Sequence, residues 1–227
     1  MKIIDDPKRL EQLCRQHHLP EIFQHYDRYR QYFHLVTFQK NEIIYQKASQ
    51  RTYLIFFLKG KIRVCANLSN GKSLLVCFYT TFQLLGDLEF FSVDTSDSTV
   101  QAIAPCTCIS MHVSEIRKEL LSDPVFLCYL ANSLAHKLAV SSHNSSINQL
   151  YPLENKLASY IIQVQFHGLF VENLTHLAEL LGTSYRHLLR TLRSFVDQGI
   201  LEHTELGYRL LNRSQLEDLA EDLYLSF

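Results

Sequence analysis

At 227 residues, 47% apolar and 20% charged, the chain can form one large or two modest domains, each with its own core. A net charge of −1 excludes general electrostatic attraction to nucleic acid. Asp5, Asp6, Lys8 and Arg9 interrupt the N-terminus before any apolar run develops, which argues against a leader peptide. The longest apolar runs, such as Tyr53 to Leu58, are far too short to cross a bilayer, so a cytoplasmic chain without membrane contact is expected. In that setting Cys14, Cys65, Cys77, Cys106, Cys108 and Cys128 are read as reduced thiols, not as a disulfide framework.

The first half reads as strands. Fifteen of the 26 aromatic residues precede residue 92, which suits a packed β core. Strand-length stretches follow one another at Leu35 to Phe38, Glu42 to Tyr45, Tyr53 to Leu58, Lys61 to Ala66, Ser73 to Tyr79, Thr99 to Ile103 and Thr107 to His112. Asn70-Gly71 between two of them is a strong hairpin turn, because both residues tolerate positive φ. Runs at this spacing predict a sandwich or barrel-like all-β domain.

A change to helix follows at Ser122-Asp123-Pro124, where proline is pre-set for the first helical position. Leu127, Leu130, Leu134 and Leu138 recur at three- and four-residue spacing, with Ala131, Ala135 and Ala139 permitting close approach of a partner. This face can pack on its own domain or form a two-stranded dimer seam, and Phe126, Tyr129 and Val140 supply a second apolar side. Ser141 to Gln149 is polar and poor in helix formers and reads as a linker. Pro152 opens a further helix through Leu157, Ile161 and Ile162, and Gly168 to Val171 reads as a short strand or turn.

Leu174 to Leu210 carries the most information. Leu174, Leu177, Ala178 and Leu181 keep helical spacing, which breaks at Gly182-Thr183-Ser184 and resumes with Leu188, Leu192 and Phe195 as far as Gly199. Ser184 is placed to cap the second helix. This is the pattern of a helix-turn-helix, whose second helix lies in the DNA major groove. At about 100° per residue, Arg186, Arg190 and Arg193 share one narrow sector, with Leu188, Leu192 and Phe195 opposite and Leu189 and Val196 beside those. Ile200 to Leu211, interrupted by Gly207, reads as a wing. Between Tyr151 and Arg213 there are six basic and six acidic residues, so affinity for a duplex has to come from placement and not from bulk charge. The acidic tail of Glu217, Asp218, Glu221 and Asp222 should avoid the duplex.

Signs of catalysis are missing. No Ser-His-Asp or paired-carboxylate constellation stands out, the eleven histidines lack a ligand pattern, and no His-x-His pair with a following carboxylate suggests a metal-dependent barrel enzyme. A non-enzyme without a metal site or an assigned cofactor is expected. Cys106-x-Cys108 can be read as a redox or metal pair or, on one face of a strand, as two buried small residues.

A β-rich N-terminal part, a long helix and a C-terminal winged helix-turn-helix, in that order, resemble the Crp–Fnr superfamily of bacterial transcription regulators over nearly the whole chain. The resemblance is carried by Phe57-Leu58-Lys59-Gly60-Lys61-Ile62-Arg63-Val64, by Asn70-Gly71-Lys72, by Leu85-Gly86-Asp87-Leu88-Glu89-Phe90-Phe91 and by Leu180-Leu181-Gly182-Thr183-Ser184. Ser184-Tyr185-Arg186-His187-Leu188-Leu189 and Cys106-x-Cys108 look most like its YeiL-like branch. The implied fold is α+β: a β-roll sensor domain over 1–121, a long dimerisation helix with hinge over 122–150, and a winged helix-turn-helix over 151–227.

The resemblance also frames the effector question. In cyclic-AMP-binding members, Gly86-Asp87 would match a Gly-Glu pair on the ribose, and Asp97-Ser98 would match the Arg-Ser or Arg-Thr pair on the phosphate. No arginine lies between Arg63 and Arg117, and the only lysine there is Lys72, so a buried phosphate would face Asp97 without a guanidinium. Ser141 and Ser142 match hydroxyls that contact the nucleobase in those relatives. Useful affinity for cyclic AMP is therefore not expected. An iron–sulfur cluster is not supported either, with Cys14 alone near the N-terminus. The effector stays open between an apolar or aromatic ligand, a thiol event at Cys106/Cys108 and no ligand.

The expected function is sequence-specific transcription regulation by a homodimer on a palindromic double-stranded DNA operator. Tyr185, Arg186 and Arg190 are the candidates for base edges, and Asn173, Thr175, Arg193 and Arg209 those for phosphates, with His187 a weaker candidate about a quarter turn from the basic face. The resemblance further implies contact with RNA polymerase, with activation against repression left open.

Overall fold

A computed structural model describes residues 1–46, 53–69, 71–91 and 98–221. Asn70, Asp97 and Asp222, three of the residues singled out above, lie outside the described residues. The chain divides into two compact units: Met1–Val64 with Tyr79–Val140, and Cys65–Phe78 with Ser141 onward.

The first unit opens with strand β1 (Lys2–Ile4), helix α1 (Pro7–Gln16) and the single turn α2 (Tyr26–Tyr29), a segment for which the sequence pattern gives no helix. Asp6 caps α1 by accepting from the Arg9 amide, 3.0 Å away, and Pro7 needs no hydrogen-bond partner at the first helical position. Several of the early aromatics thus serve this helical cover and not strands: Phe23 and Tyr29 are buried in the same core as α1.

Strands then follow where the alternating runs lie: β2 (Phe33–Phe38), β3 (Ile43–Gln46), β4 (Tyr53–Lys59), β5 (Ile62–Asn67), β6 (Ser73–Tyr79), β7 (Gln83–Leu85), the short helix α3 (Asp87–Phe90), β8 (Ser98–Ala102), β9 (Cys106–His112) and the turn α4 (Arg117–Leu120). One sheet has the order β1-β2-β9-β4-β7, and a second has the order β3-β8-β5-β6. The non-sequential order is a roll and not a meander, and its central strand β9 pairs antiparallel with both β2 and β4. β9 is therefore covered on both faces, with Cys106 and Cys108 to Met111 buried. Gly60 joins β4 to β5 at φ 124°, where a Cβ would lie 2.6 Å from the Pro105 carbonyl oxygen, so glycine is obligatory there.

Helix α5 (Pro124–Leu150) starts where Asp123 accepts from the amides of Val125 and Phe126, both at 3.0 Å. It packs Phe126 flat against Phe23, with ring centroids 5.3 Å apart, and buries Leu130 in the first unit's core. It also runs unbroken through Ser141 to Gln149, the stretch read above as a linker. Serine and asparagine are weak helix formers in isolation, but tertiary contacts override that preference here. Asn144 donates to the Val76 carbonyl at 2.8 Å and Asn148 to that of Leu75 at 3.4 Å, while Ile147 is buried.

The second unit continues with α6 (Leu153–Val164), β10 (Leu169–Phe170), α7 (Leu174–Leu180), α8 (Tyr185–Asp197), β11 (Leu201–Thr204), β12 (Gly207–Leu210) and α9 (Arg213–Ala220). The three short strands form one antiparallel sheet, β10-β12-β11. Its core is Leu157, Tyr160 and Ile161 of α6, Leu177 and Leu180 of α7, Leu188, Leu192 and Phe195 of α8, and Leu216 of α9.

Candidate DNA-binding interface and the β-domain corner

The turn between α7 and α8 is built from local chemistry. Asn173 caps α7 by accepting from the His176 amide at 3.0 Å, and Ser184 caps α8 by accepting from the His187 amide at 3.2 Å. Gly182 between them sits at φ 63°, the left-handed conformation that closes one helix and aims the next. Leu177, Ala178, Leu180 and Leu181 are buried beneath the turn.

Helix α8 is sharply two-sided. Leu188, Thr191, Leu192 and Phe195 are buried, whereas Tyr185, Arg186, His187, Arg190 and Arg193 are exposed. Among the described residues, none of the three arginines is held in an ion pair. Their guanidinium groups are therefore available to a polyanion at no cost of breaking an internal contact. Leu189 is half-buried at the edge of this face. One carboxylate, Asp197, lies in the same sector at the C-terminal end of the helix and is exposed. A helix that enters a groove by its N-terminal half, as recognition helices do, leaves Asp197 outside it. The side chain of His187 is steadied by the Thr183 hydroxyl, 3.3 Å from its Nδ1.

The wing flanks this face. His203 and Tyr208 meet edge to face, with centroids 5.2 Å apart, and burial raises the Tyr208 phenol pKa while nearby Arg193 draws it back. Arg209 is exposed but is not free, since it pairs with Glu202 directly across the hairpin at 3.2 Å. Asn173 and Thr175 are both exposed at the start of α7. Asn173 Oδ1 is already used by its cap, which leaves the side-chain NH2 as the donor that can reach a phosphate.

Gly86 and Asp87 lie together where β7 meets α3. Gly86 adopts φ 87°, with a hypothetical Cβ 2.7 Å from the Tyr53 carbonyl oxygen. Asp87 is buried, and its carboxylate is already neutralised: Lys137 of α5 donates to Oδ2 at 2.6 Å and also to the Leu84 carbonyl oxygen, while the Leu88 amide donates to Oδ1 at 3.2 Å. Sequence reasoning did not find Lys137. The signal was nevertheless present, because Lys137 is the one residue of α5 with a formal charge. Arg63 was likewise not foreseen as buried; its Nε and Nη2 both donate to Gln101 Oε1, at 3.1 and 2.9 Å. Ser98 opens β8, half-buried. In the second unit Ser141 and Ser142 are exposed on α5, and Ser141 lines a groove of 360 Å³ with Leu74, Leu75, Val76, Ser145 and Asn148.

Cys106 and Cys108 are both buried, and burial raises both thiols, Cys108 the more strongly. The Cys106 thiol donates to the Ala104 carbonyl oxygen at 3.1 Å. Among the described residues no group of three or more His, Cys, Asp or Glu side chains could hold a metal ion.

Of the four leucines read as a pairing face, Leu130 is fully buried in the core of its own protomer and cannot reach a partner. Leu127 and Leu134 are half-buried, and Leu138 is 72% exposed. Leu130, with Leu127 and Leu134 beside it, marks where α5 meets its own domain, and Leu138 does not belong to that contact. A different stripe stays exposed: Cys128, Ala131, Ala135, Leu138, Ser142, Ser145 and Gln149, in alternating steps of three and four.

Comparison with known proteins agrees with this architecture. A family profile described as a cyclic nucleotide-binding domain matches residues 35–123, and one described as a Crp-like helix-turn-helix domain matches residues 155–219. The regulatory protein YeiL of Escherichia coli O157:H7 is 35% identical over 189 residues, which is 83% of this chain and 86% of that protein. The chain belongs to the Crp–Fnr family of transcription regulators. It is accordingly a Crp-like DNA-binding regulator with a cyclic-nucleotide-binding-like domain, in a family of regulators and not of enzymes. The fold is also that of a Crp/Fnr-family regulator from Eubacterium rectale, with a TM-score of 0.75 at 14% identity over 88% of this chain and 99% of that one. A CRP-family regulator from Thermus thermophilus has a TM-score of 0.65 at 15% identity, over 85% and 100% of the two chains. Among the described residues no helix is long and apolar enough to cross a membrane.

Proposed function

We propose that this Crp–Fnr regulator reads a palindromic operator as a homodimer, with α8 of each protomer in a major groove. The observation that carries this reading is the exposed stripe of Arg186, Arg190 and Arg193, without an ion pair among the described residues, opposite the buried Leu188, Leu192 and Phe195. Arg186 and Arg190 sit in the N-terminal half of the helix, where a guanidinium can take guanine O6 and N7 together, and Tyr185 stands beside them. Arg193, Asn173, Thr175 and Arg209 hold phosphates, and Arg209 does so only by giving up or sharing Glu202.

Pairing of α5 supplies the second recognition helix. The stripe from Cys128 to Gln149 has the seven-residue repeat of a two-stranded seam, and its small residues allow close approach. Paired in parallel, the two α8 helices reach half-sites ~34 Å apart. The family's way of working adds contact with RNA polymerase.

The test is selection of a preferred duplex from a random pool, followed by titration of the wild type and of Arg186→Ala/Arg190→Ala. Selection of a palindrome, and its loss in the double variant, supports the reading. Equal binding of both proteins to selected and random duplexes at physiological salt overturns it.

A second reading, response to a cyclic nucleotide, is favoured by the family match over residues 35–123. Against it stands Asp87, whose carboxylate is occupied by Lys137 and the Leu88 amide where a ribose would bind. Calorimetry should detect no binding of cyclic AMP or cyclic GMP, and micromolar affinity for either would favour the second reading. Thiol chemistry at Cys106/Cys108 is disfavoured by burial and by thiolate suppression.

A further inference from the structure

Helix α5 is 27 residues long and carries one formal charge, Lys137, which points inward. The side chain is 17% exposed and that of Asp87 is 6% exposed. Half-buried Lys137 lies in line with Leu130 and Leu134 on the stripe that meets the core, because steps of three and four residues keep one helical face. Its ammonium satisfies two acceptors of the β7–α3 corner at once, Asp87 Oδ2 and the Leu84 carbonyl oxygen. Tyr129, about two helical turns earlier, feels the same corner: burial pushes its phenol up to about 12, and the Asp87 charge adds to the rise.

A leucine stripe alone tolerates small rotations and slides, because apolar contact is not directional. A buried ammonium held between a carboxylate and a carbonyl oxygen is directional, and a shift that breaks it leaves a buried charge without its partner. The exposed small-residue stripe of α5 lies more than a third of a turn from Lys137, so the rotation of the helix decides where that stripe faces.

We propose that Lys137 is a built-in counter-ion that fixes the rotation of α5 on the β7–α3 corner and so presents the pairing stripe without a diffusible effector. Lys137 is a positioning residue, remote from DNA. The inference rests on the homodimeric reading above, and it adds that the corner is closed from within the chain.

The experiment uses the full chain with Lys137→Ala, Lys137→Met and Asp87→Asn. Three quantities are read: amide exchange across residues 134–140, dimer dissociation, and affinity for the selected duplex. Both Lys137 variants and Asp87→Asn should accelerate exchange in that stretch, and should weaken dimer and duplex together by roughly 3- to 30-fold. Millimolar n-propylammonium should restore Lys137→Ala, since it returns an N–H donor and its stem to the vacated space. Tetramethylammonium, which has the charge but no N–H, should not.

Lys137→Met retains the length of the stem, so its behaviour keeps the proposal testable if Lys137→Ala fails to fold. Wild-type exchange and affinity in Lys137→Met overturns the proposal. So does equal restoration of Lys137→Ala by both ammonium ions, which would reduce the effect to ionic strength. Tighter duplex binding by the variants also overturns it, because Lys137 would then hold α5 in a resisting state. If the wild type binds no duplex, the function proposed above fails, and the exchange measurement still decides the role of Lys137.

Discussion

The two units of this protein use charge in opposite ways. In the first, Asp87 meets Lys137 and Arg63 meets Gln101 in buried contacts between residues 50 and 38 positions apart. In the second, Arg186, Arg190 and Arg193 stand in solvent within two turns of one helix. Buried charge is expensive unless it is paired, and the first unit's Asp87 and Lys137 answer each other within the chain. Exposed charge costs little, and on the reading proposed above the second unit's arginines are free to meet a polyanion. The difference separates charges answered inside the chain from charges left to the solvent.

The largest expected effect breaks the first unit alone. Gly60→Ala drives a Cβ to within 2.6 Å of the Pro105 carbonyl oxygen at φ 124°, and should cost ~4 kcal/mol or more. Gly199→Ala, in the second unit at φ 70° with nothing within 4 Å, should cost only ~1–2 kcal/mol. Urea unfolding of the two variants checks the contrast, and equal losses would remove it.

Next come the arginines. Arg190→Ala should lower affinity for the selected duplex by about 1–3 kcal/mol and relax selection at one base pair, whereas Arg193→Ala should weaken all duplexes alike and reduce the salt slope by about one. Titration at several salt concentrations separates the two, and matching profiles would erase the division between reading bases and holding phosphates.

Arg209 sharpens the comparison further, because it is the basic residue of this interface that is already paired. Arg209→Ala should cost less than ~1 kcal/mol in binding, and Glu202→Gln should strengthen binding by releasing it. A weaker complex from Glu202→Gln would mean that Arg209 needs its partner for orientation.

The smallest effect concerns acid stability. His17 stacks on Phe82 with centroids 5.6 Å apart, and burial, aided by neighbouring His18, lowers its pKa below 6.5. The folded state therefore prefers the neutral ring. Stability from this group is complete above pH 6.5 and is lost as the pH falls through the lowered folded value. His17→Gln should flatten that acid limb in thermal melts between about pH 5 and 7, an interval set by the ordinary titration range of histidine.

How much could be read in advance differed with the range of the interaction. The helix-turn-helix was legible because its evidence is local: the Ser184 cap, the left-handed Gly182 and the periodicity of α8 all lie within a few residues of one another. The strand at Ser73 to Tyr79 was legible to the residue, because a buried strand writes itself as a short apolar run. The N-terminal helix α1 escaped because its ten residues carry only Leu10, Leu13 and Cys14 as an apolar face, too short a run for helical periodicity to stand out. The helical state of Ser141 to Gln149 escaped because Asn144 and Asn148 are held by carbonyls of β6, far away in sequence. The two readings of the leucines of α5 stayed open for a related reason, and the structure buries Leu130 while leaving Leu138 exposed. Periodicity locates an apolar stripe but does not say whether it meets the core of its own chain or that of a partner.

The order of residues by itself determined the family, the two kinds of structure and the three outward arginines, since each follows from spacing along the chain. Only the tertiary structure decided which face of α5 remains uncovered and that Asp87 is already answered by Lys137. Such pairings depend on which distant segments the core brings together, and a cation gives no sign in sequence of the carboxylate it will meet.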